Sequence, residues 1–420
     1  MTEPFSFCTM RFMKIWIKYL IGILLGGCFA FFAPADGEFF NSAIKFLTDL
    51  SVQFGRYSLY PVLFFGFTVS IFKLRESRSL LKLAITVSLF IVLSSFFMSF
   101  FGLISVLIGN PSRIPIFVEE TAKIERLGII DSFLTLFPSS AFEAFINGLY
   151  ILPVCIFAGF AGAGCAVDKN ISKPALTLFD SLSRIAYAVT AFFVDMLSIG
   201  LIAISANWII QFKGMLATKF FAGFIMLLFI DFVIIALVIY PVLLKIICRD
   251  VNPYKILYAS IAPVCAAFFS GDTNLTLPVL LRHSNESLGV RRRISSVSLP
   301  VFSIFGRAGS AMVVTISFIV ILKSYSSLGL VTGDMFWLVC MSALFSFFLG
   351  RFPIGGTYIS LVAICSLYKG FESGFLILQP AAFFIGSIAA AIDSLTAITG
   401  TYIVGHIFEM TNPRDLRFFI

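Results

Sequence analysis

Ionisable side chains inside apolar stretches are the residues of this 420-residue sequence that could do chemistry. Asp272 and Asp393 lie in such stretches, and so do Arg307 and Arg351. A guanidinium can hold a carboxylate through two parallel hydrogen bonds, and a carboxylate can bind an amine or carry a proton. These four residues are therefore the first candidates for a ligand site.

Polar residues surround one of these candidates. Within "SGDTNLTLP", Asp272 is followed by Thr273, Asn274 and Thr276. Such side chains either contact a ligand or cap the ends of short helices, and one residue can do both. A second polar segment, "GRFPIGG", has glycines on both sides of Pro353 and can bend at its tip. Both segments interrupt apolar sequence, so the elements that carry them must be identified.

The composition excludes a soluble protein. Hydrophobic residues make up 59% of the chain and charged residues 12%, and the mean hydropathy is +1.01. Soluble domains average about 25% charged residues, so this chain cannot cover itself with a polar surface. No basic face with interleaved aromatic residues accompanies the net charge of +8, so no nucleic-acid partner is expected. The chain is predicted to be an integral membrane protein that contacts the lipid bilayer.

Apolar stretches of about 20 residues can cross the hydrocarbon core, and they recur along the whole chain. Segments 255–282 and 333–370 are apolar at both ends but are interrupted at 270–278 and 350–356 by the two polar segments. This pattern is typical of re-entrant hairpins that line an internal site, because irregular backbone at membrane depth needs protein or water around it. The sequence predicts an all-α polytopic fold with two such hairpins and eight transmembrane helices. The eight predicted spans are 15–34, 50–72, 83–109, 141–167, 176–209, 217–247, 296–322 and 377–408.

Basic residues gather in loops that eight spans place on one side of the membrane. The positive-inside rule makes this side cytoplasmic, so both termini are expected inside a cell membrane. The acidic loops around Asp36 and Glu120 then face outward. The basic residues that set this orientation are Arg11, Lys14, Lys18, Lys73, Arg75, Arg78, Lys82, Lys245, Arg249, Lys255, Arg291, Arg292, Arg293, Arg414 and Arg417.

The sequence contains few residues in patterns that bind metals or catalyse reactions. The eight cysteines are scattered without metal-binding spacing, and the two histidines are His283 and His406. An intramembrane aspartyl protease that used Asp272 and Asp393 would need a Gly-x-Gly-Asp motif, but Phe269 occupies the position of its first glycine. No metal site, no cofactor and no enzyme activity are predicted.

Six segments, in chain order, are similar to motifs of the dicarboxylate/amino acid:cation symporters, which share the glutamate-transporter fold. The first hairpin of that family starts with Asn-Pro and has a serine-rich tip followed by Thr-Leu-Pro. Its seventh helix begins with Leu-Pro and is broken at Asn-Met-Asp-Gly-Thr, where this chain has "GRAGS". The matching segments are "GRYSLYPVLFFGF" (55–67), "LFPSSAFEAFINGLYILPVCIFAGFAGAG" (136–164), "NPYKILYASIAPVCAAFFSGDTNLTLPVLLR" (252–282), "SLPVFSIFGRAGSAM" (298–312), "RFPIGG" (351–356) and "AITGTYIVGHI" (397–407).

The resemblance implies a homotrimer that moves a small organic solute by an elevator mechanism. Residues 1–82 and 131–212 would form a fixed scaffold, and residues 83–130 and 213–420 a moving transport domain. Substrate would lie between the hairpin tips and the broken seventh helix, where half-helix ends offer N–H groups to anions and carbonyls to cations. The second hairpin, which can hinge at its glycines, would be the extracellular gate.

The predicted site departs from the family pattern at most positions. Gly306 replaces Asn, Ala308 replaces Asp, and Thr401 replaces an Asp that helps to hold sodium. Sodium needs several oxygen ligands, so a proton or no coupling ion is favoured over sodium. Arg307, in place of Met, would act as a permanent cation in the helix break. The candidate substrate-binding residues are Asp272, Thr273, Asn274, Thr276, Arg307, Ser310, Arg351, Gly355, Gly356, Asp393 and Thr401.

Alternatives stay open for the charged residues and for the function. Arg307 and Asp393 either bind substrate or form a fixed ion pair between two helices, and Arg351 either binds substrate or reaches extracellular water. Arginine does not release its proton, so Asp272 or Asp393 would carry a coupling proton. The predicted function is secondary transport of a dicarboxylate or an amino acid. The alternative is a transport-inactive relative that serves as a sensor or an ion pore.

Overall fold

The structure, a computed structural model, is predominantly helical. Within the described residues, β-pairing is limited to two isolated bridges, and six helical stretches are long and apolar enough to cross a membrane. The chain is therefore a helical polytopic membrane protein, as its composition predicts. The predicted outward loop around Glu120 lies outside the described residues. These are residues 13–32, 38–115, 136–146, 149–217, 219–249, 251–325, 332–368 and 373–420.

The helices of the first half of the chain form one packed group around the longest of them. In chain order they are α1 (Ile15–Phe32), α2 (Glu38–Arg56), α3 (Leu59–Glu76), α4 (Leu80–Gly109), α5 (Glu143–Ile146), α6 (Leu152–Cys165) and α7 (Lys169–Ala217). α7 is 49 residues long and packs against α1, α2 and α3, and α3 also packs against α6. α4 is the exception, because it packs mainly against helices of the second half.

The second half of the chain forms a second group. Its first helix, α8 (Ala222–Ile234), continues through a π-helical turn (Ile235–Ile239) into α9 (Tyr240–Ile247). The remaining helices are α10 (Pro253–Ser270), α11 (Thr273–Glu286), α12 (Arg292–Phe305), α13 (Ala308–Tyr325), α14 (Thr332–Ser346), α15 (Gly356–Leu367) and α16 (Ala382–Ile407). α13 and α16 pack against each other at the centre of this group, and α4, α10, α12 and α15 pack around them.

Two helical pairs have tips that touch. α10 and α11 are joined by Gly271 and Asp272 alone; Gly271 adopts φ +59°, a left-handed conformation that glycine reaches without steric cost. The Asp272 carboxylate caps α11 by accepting from the backbone N–H of Asn274 at 2.9 Å. The α14–α15 connection passes through Pro353, whose carbonyl accepts from Thr273 N at 3.3 Å. The two pairs thus meet tip to tip.

A break separates α12 from α13. α12 ends at Phe305 and α13 begins at Ala308, which leaves Gly306 and Arg307 between them. At the start of α13, a β-carbon on Gly309 would lie 2.5 Å from Cβ of Ile392 in α16. Glycine therefore lets α13 and α16 approach closely beside the break.

The helices follow the predicted spans in order and differ from them in two places. The predicted span 50–72 contains the end of α2 and most of α3, because the chain turns at Tyr57 and Ser58. The predicted span 141–167 contains α5 and α6. Pro153, in the first turn of α6, favours a helix start there because its ring fixes φ and it has no N–H to donate.

The substitution Gly162→Ala tests the packing of α6 on α3. A β-carbon there would collide with the Thr68 carbonyl and lie 3.1 Å from Cβ of Ile71, so the helices would have to separate. Overpacking of this kind costs about 1–3 kcal/mol, and we expect a lower melting temperature of the purified protein. Gly164→Ala in the same helix meets nothing within 4 Å and should not lower it. Equal melting temperatures of the two variants would contradict this packing.

Candidate functional site

Three buried charged residues meet where the first helical pair, the helix break and α16 come together. Arg307 in the break is 3% exposed, Asp393 in α16 is 4% exposed, and Asp272 at the α10–α11 tip is fully buried. Charged groups at such depth are stable only when they are paired or hydrogen-bonded. Their contacts therefore define what the site can do.

Arg307 links the helix break to the α10–α11 tip. Its NH2 group donates to Thr273 Oγ1 at 2.7 Å, and its Nε donates to the Ser303 carbonyl at 3.0 Å. Ser303 lies in the last turn of α12, where carbonyls lack helical partners. The guanidinium thus satisfies one end of the broken helix and holds the tip beside it.

Asp393 holds the other end of the break. Its Oδ1 accepts from the backbone N–H groups of Gly309 at 2.7 Å and Ser310 at 3.1 Å, and its Oδ2 accepts from Ser310 Oγ at 2.7 Å. These N–H groups belong to the first turn of α13, the positive end of the helix dipole. Arg307 NH1 lies 3.9 Å from Asp393 Oδ2, which is long for an ion pair. The hydrogen bonds to α13 are therefore the stronger restraint on Asp393.

Asp272 is paired with a residue of the other helix group. Arg56, at the end of α2, donates from Nε to Asp272 Oδ2 at 2.7 Å, and its NH2 lies 2.6 Å from the same oxygen. Together with Arg307 and Asp393, this pair gives a cluster of two cations and two anions, which we call the charge cluster. Its formal charge is zero, and it joins the two helix groups.

The second helical pair reaches the charge cluster through a hydroxyl. Thr357 Oγ1 in α15 lies 3.0 Å from Ser310 Oγ, which itself donates to Asp393. Gly355, just before α15, has φ +68°, and a β-carbon on it would meet nothing within 4 Å. The glycine is therefore required by the backbone conformation and not by a lack of space. Together, Gly355 and Gly356 set the start of the helix that carries Thr357.

Two of the predicted binding residues belong to the α10–α11 tip itself. Thr276 Oγ1 donates to the carbonyl of Asp272 at 3.0 Å, so it stabilises the first turn of α11. Asn274 Nδ2 donates to the Leu149 carbonyl at 2.7 Å, a contact with the chain just before α6. These contacts match the capping and packing roles that such residues commonly have.

Among the described residues, Thr401 and Arg351 form no hydrogen bond or ion pair with the charge cluster. Thr401 is about two helical turns beyond Asp393, and its Oγ1 accepts from Ser298 Oγ at 3.2 Å. Arg351 is partly exposed and forms no ion pair within the part of the chain that the structure describes. The structure thus brings together three of the four ionisable residues that the sequence singles out.

Sequence reasoning did not identify Arg56, Ser303 or Thr357 as parts of the site. Arg56 lies at the polar edge of a predicted span, where a basic residue has the same pattern as a loop residue. Asp272 was the one residue whose sequence context indicated a missing cation, because a carboxylate in an apolar segment needs a positively charged partner. Which cation it takes depends on the packing of α2 against the α10–α11 pair.

The charge cluster is closed in this conformation. A cavity of about 380 Å³ lies at the C-terminal end of α16. Asn252, His406 and Arg414 are among the residues that line it, and no residue of the cluster does. Among the described residues, no group of three or more His, Cys, Asp or Glu side chains could hold a metal ion. The chemistry of the cluster therefore lies in its guanidinium, carboxylate and hydroxyl groups.

Helical pairs that meet at a broken helix, with charged residues buried between them, recur in membrane transport proteins. The chain belongs to the sodium:dicarboxylate symporter family, whose model matches residues 15–407. This match confirms the family resemblance of the six sequence motifs. The family is named for the transport of small solutes.

Amino acid transporters are among the relatives of this chain. It is 23% identical to the serine/threonine transporter SstT of Lacticaseibacillus paracasei, over 72% of this chain and 68% of that protein. It is 22% identical to the human neutral amino acid transporter A, over 50% of this chain and 40% of that protein. It is also 22% identical to the human neutral amino acid transporter B(0), over 40% of this chain and 31% of that protein. The chain thus spans less than half of each human relative.

A double-mutant cycle with Arg56→Met and Asp272→Asn tests the ion pair between the helix groups. Removing one partner of a buried pair costs about 3–5 kcal/mol, so the double variant should lose less than the sum of the single variants. Thermal unfolding of the purified protein measures these losses. A second cycle with Arg307→Met and Asp393→Ala should give a smaller coupling, because those charged atoms lie 3.9 Å apart. Additive losses in either cycle would show that its two residues are not coupled.

Proposed function

We propose that this protein is a secondary transporter of a small zwitterionic amino acid, bound between the two tips and the helix break. The observation that carries this proposal is the charge cluster, which presents a guanidinium and a carboxylate in a closed site. An amino acid offers its carboxylate to Arg307 and its ammonium group to Asp393. Three relatives, a serine/threonine transporter and two neutral amino acid transporters, support the same substrate class.

A dicarboxylate is the second candidate substrate. Its second carboxylate would approach Asp272 and Asp393, and like charges at short range in a low dielectric repel each other. Arg307 already takes the first carboxylate, and the other cation of the charge cluster, Arg56, is paired with Asp272. An amino acid therefore fits the charge cluster better.

The transport cycle that we propose moves one helix group against the other. Residues 1–82 and 131–212 act as the scaffold of a homotrimer, and residues 83–130 and 213–420 form the moving domain, with eight spans, two re-entrant hairpins and cytoplasmic termini. This division is supported by the packing of α4 with the second group of helices. The Arg56–Asp272 pair joins the two groups, so it must open whenever the moving domain slides.

Arg307 replaces a coupling cation in this proposal. In the structure its Nε donates to the Ser303 carbonyl at the end of α12, where the carbonyl end of a broken helix attracts a cation. A guanidinium is permanently charged, so this position stays occupied through the whole cycle. Transport should then proceed without sodium.

Flux measurements with purified protein in proteoliposomes test the proposed function. We expect saturable uptake of labelled serine, threonine or alanine, weak uptake of glutamate and succinate, and none into protein-free liposomes. Substrate binding without flux would indicate a sensor, and ion current without solute flux would indicate a pore. Faster uptake of succinate than of any amino acid would make the dicarboxylate the substrate.

The substitution Arg307→Met tests the replaced cation. Wild-type uptake should be equal in sodium and choline buffers, whereas the variant should lose most uptake in choline and recover part of it in sodium. Arg307→Lys is the matched control, because it retains the charge without the planar fork, and it should remain independent of sodium. A strong sodium requirement of the wild-type protein would contradict this role of Arg307.

Cross-linking of the two tips tests whether the second hairpin is the gate. Cysteines introduced by Thr273→Cys and Ile354→Cys, in a chain without native cysteines, lie at the contact between the tips. A complete cross-link should stop uptake, and reduction should restore it. Each single variant serves as the control for loss of the Thr273 hydroxyl. Undiminished flux in the cross-linked protein would exclude this gate.

A further inference from the structure

A third buried acid, Asp231, lies outside the charge cluster. It stands in the last turn of α8, where it is the single charged residue of an apolar helix, and it is 2% exposed. A charged residue inside a membrane helix is costly and marks a functional site by default. Neither the charge cluster nor the family motifs account for Asp231.

The contacts of Asp231 leave half of its carboxyl group without a partner. Ser105 Oγ in α4 donates to Oδ1 at 2.5 Å. Oδ2 is buried and has no hydrogen-bond partner within the described ranges of the chain. No ion pair in those ranges includes Asp231. Within the described residues, the Ser105 hydroxyl is therefore the one hydrogen-bond partner of the Asp231 carboxyl group.

Among the described residues, the elements packed against α8 place no cation in contact with Asp231. α4, the π-helical turn and α16 pack against α8, and α9 follows it. Asp393 in α16 is bound to α13, and Tyr240 OH in α9 lies 2.5 Å from Thr396 Oγ1 in α16. No hydrogen bond or ion pair within the described residues joins a titratable residue of these elements to Asp231. These titratable residues are Lys82, Tyr240, Lys245, Asp393, Tyr402 and His406.

The three buried aspartates of the described chain therefore differ in the cation that they can bind. Asp272 is neutralised by Arg56, and Asp393 is held by two N–H groups of α13. An isolated carboxylate in an apolar interior has a large desolvation cost, which a bound proton removes. Sodium would need several more oxygen ligands than Asp231 and Ser105 provide. A proton is thus the one cation that this position fits.

A distortion of the helix accompanies Asp231. Its backbone carbonyl and that of Phe232 both accept from the N–H of Ile235, where the π-helical turn begins. Such turns occur often at functional sites. One end of the distorted segment is tied, through Tyr240 and Thr396, to the helical turn of α16 that follows Asp393. The distorted segment thus lies between Asp231 and the part of α16 that follows Asp393.

We propose that Asp231 binds the coupling proton of the transport cycle, an inference that rests on the proposed transport function. Oδ2 accepts one proton from water on the side where substrate enters, and the neutral acid moves with the transport domain. The proton returns to water on the other side when substrate leaves, so no further reactant is consumed. Asp272 and Asp393, which the sequence offered as proton carriers, are already bound in this conformation to Arg56 and to the first turn of α13.

Infrared spectroscopy of the protein in lipid nanodiscs tests the proton site independently of transport. A protonated carboxyl group gives a C=O stretching band that titrates with pH. We expect this band in the wild-type protein and in Asp415→Asn, which removes an exposed acid, and its loss in Asp231→Asn. Ser105→Ala should shift the band to higher frequency, because the hydroxyl no longer donates to the carboxyl group. A band that neither Asp231→Asn nor Ser105→Ala changes would overturn the assignment.

Uptake driven by a proton gradient tests the coupling role. Asp231→Asn should lose at least tenfold in gradient-driven uptake but retain exchange of internal for external substrate, whereas Asp415→Asn should resemble the wild type. If the Asp231→Asn variant takes up substrate in response to the proton gradient as fast as the wild type does, the coupling role is overturned. The absence of any solute flux in the wild type would overturn the proposed function and this role with it, even where the infrared band belongs to Asp231.

Discussion

The structure depends on how a helix broken inside the membrane satisfies its own ends. A break at this depth leaves N–H groups on one side and carbonyls on the other, and hydrocarbon offers neither a partner. Here Asp393 accepts from the first N–H groups of α13, and Arg307 donates to a carbonyl of α12. Gly309 lets α16 come close enough for the carboxylate to reach. Both charged side chains are thus held in place by backbone groups, and the proposed binding site is built around them.

A buried ion pair balances charge between the two helix groups. Asp272 is fully buried, and its cation, Arg56, comes from α2 and not from a neighbour on its own helices. Burying such a pair costs desolvation energy, which good geometry offsets only while the partners stay together. The contact therefore favours the conformation described here, and any movement between the groups must supply Asp272 with another partner. A transporter needs such a state-dependent contact to link binding to motion.

Three buried aspartates have different roles because their surroundings differ. Asp393 is a helix cap, Asp272 is half of an ion pair, and Asp231 has a single hydroxyl as its partner within the described chain. Only the last can gain or lose a charge without breaking a contact that holds helices together. Structural roles and the proposed proton-binding role thus fall on different residues of the same helix group.

The sequence by itself determined the membrane class, the helical architecture and the family, because hydropathy and short motifs are local properties of the chain. It also identified Arg307 and Asp393, since a charge inside an apolar helix stands out without knowledge of its neighbours. Only the tertiary structure decided the partners. Arg56 and Asp272 are 216 positions apart, and Thr401 bonds to Ser298 rather than to the cluster. A side chain's partner depends on how helices pack and rotate against each other, and that arrangement depends on contacts distributed over the whole chain.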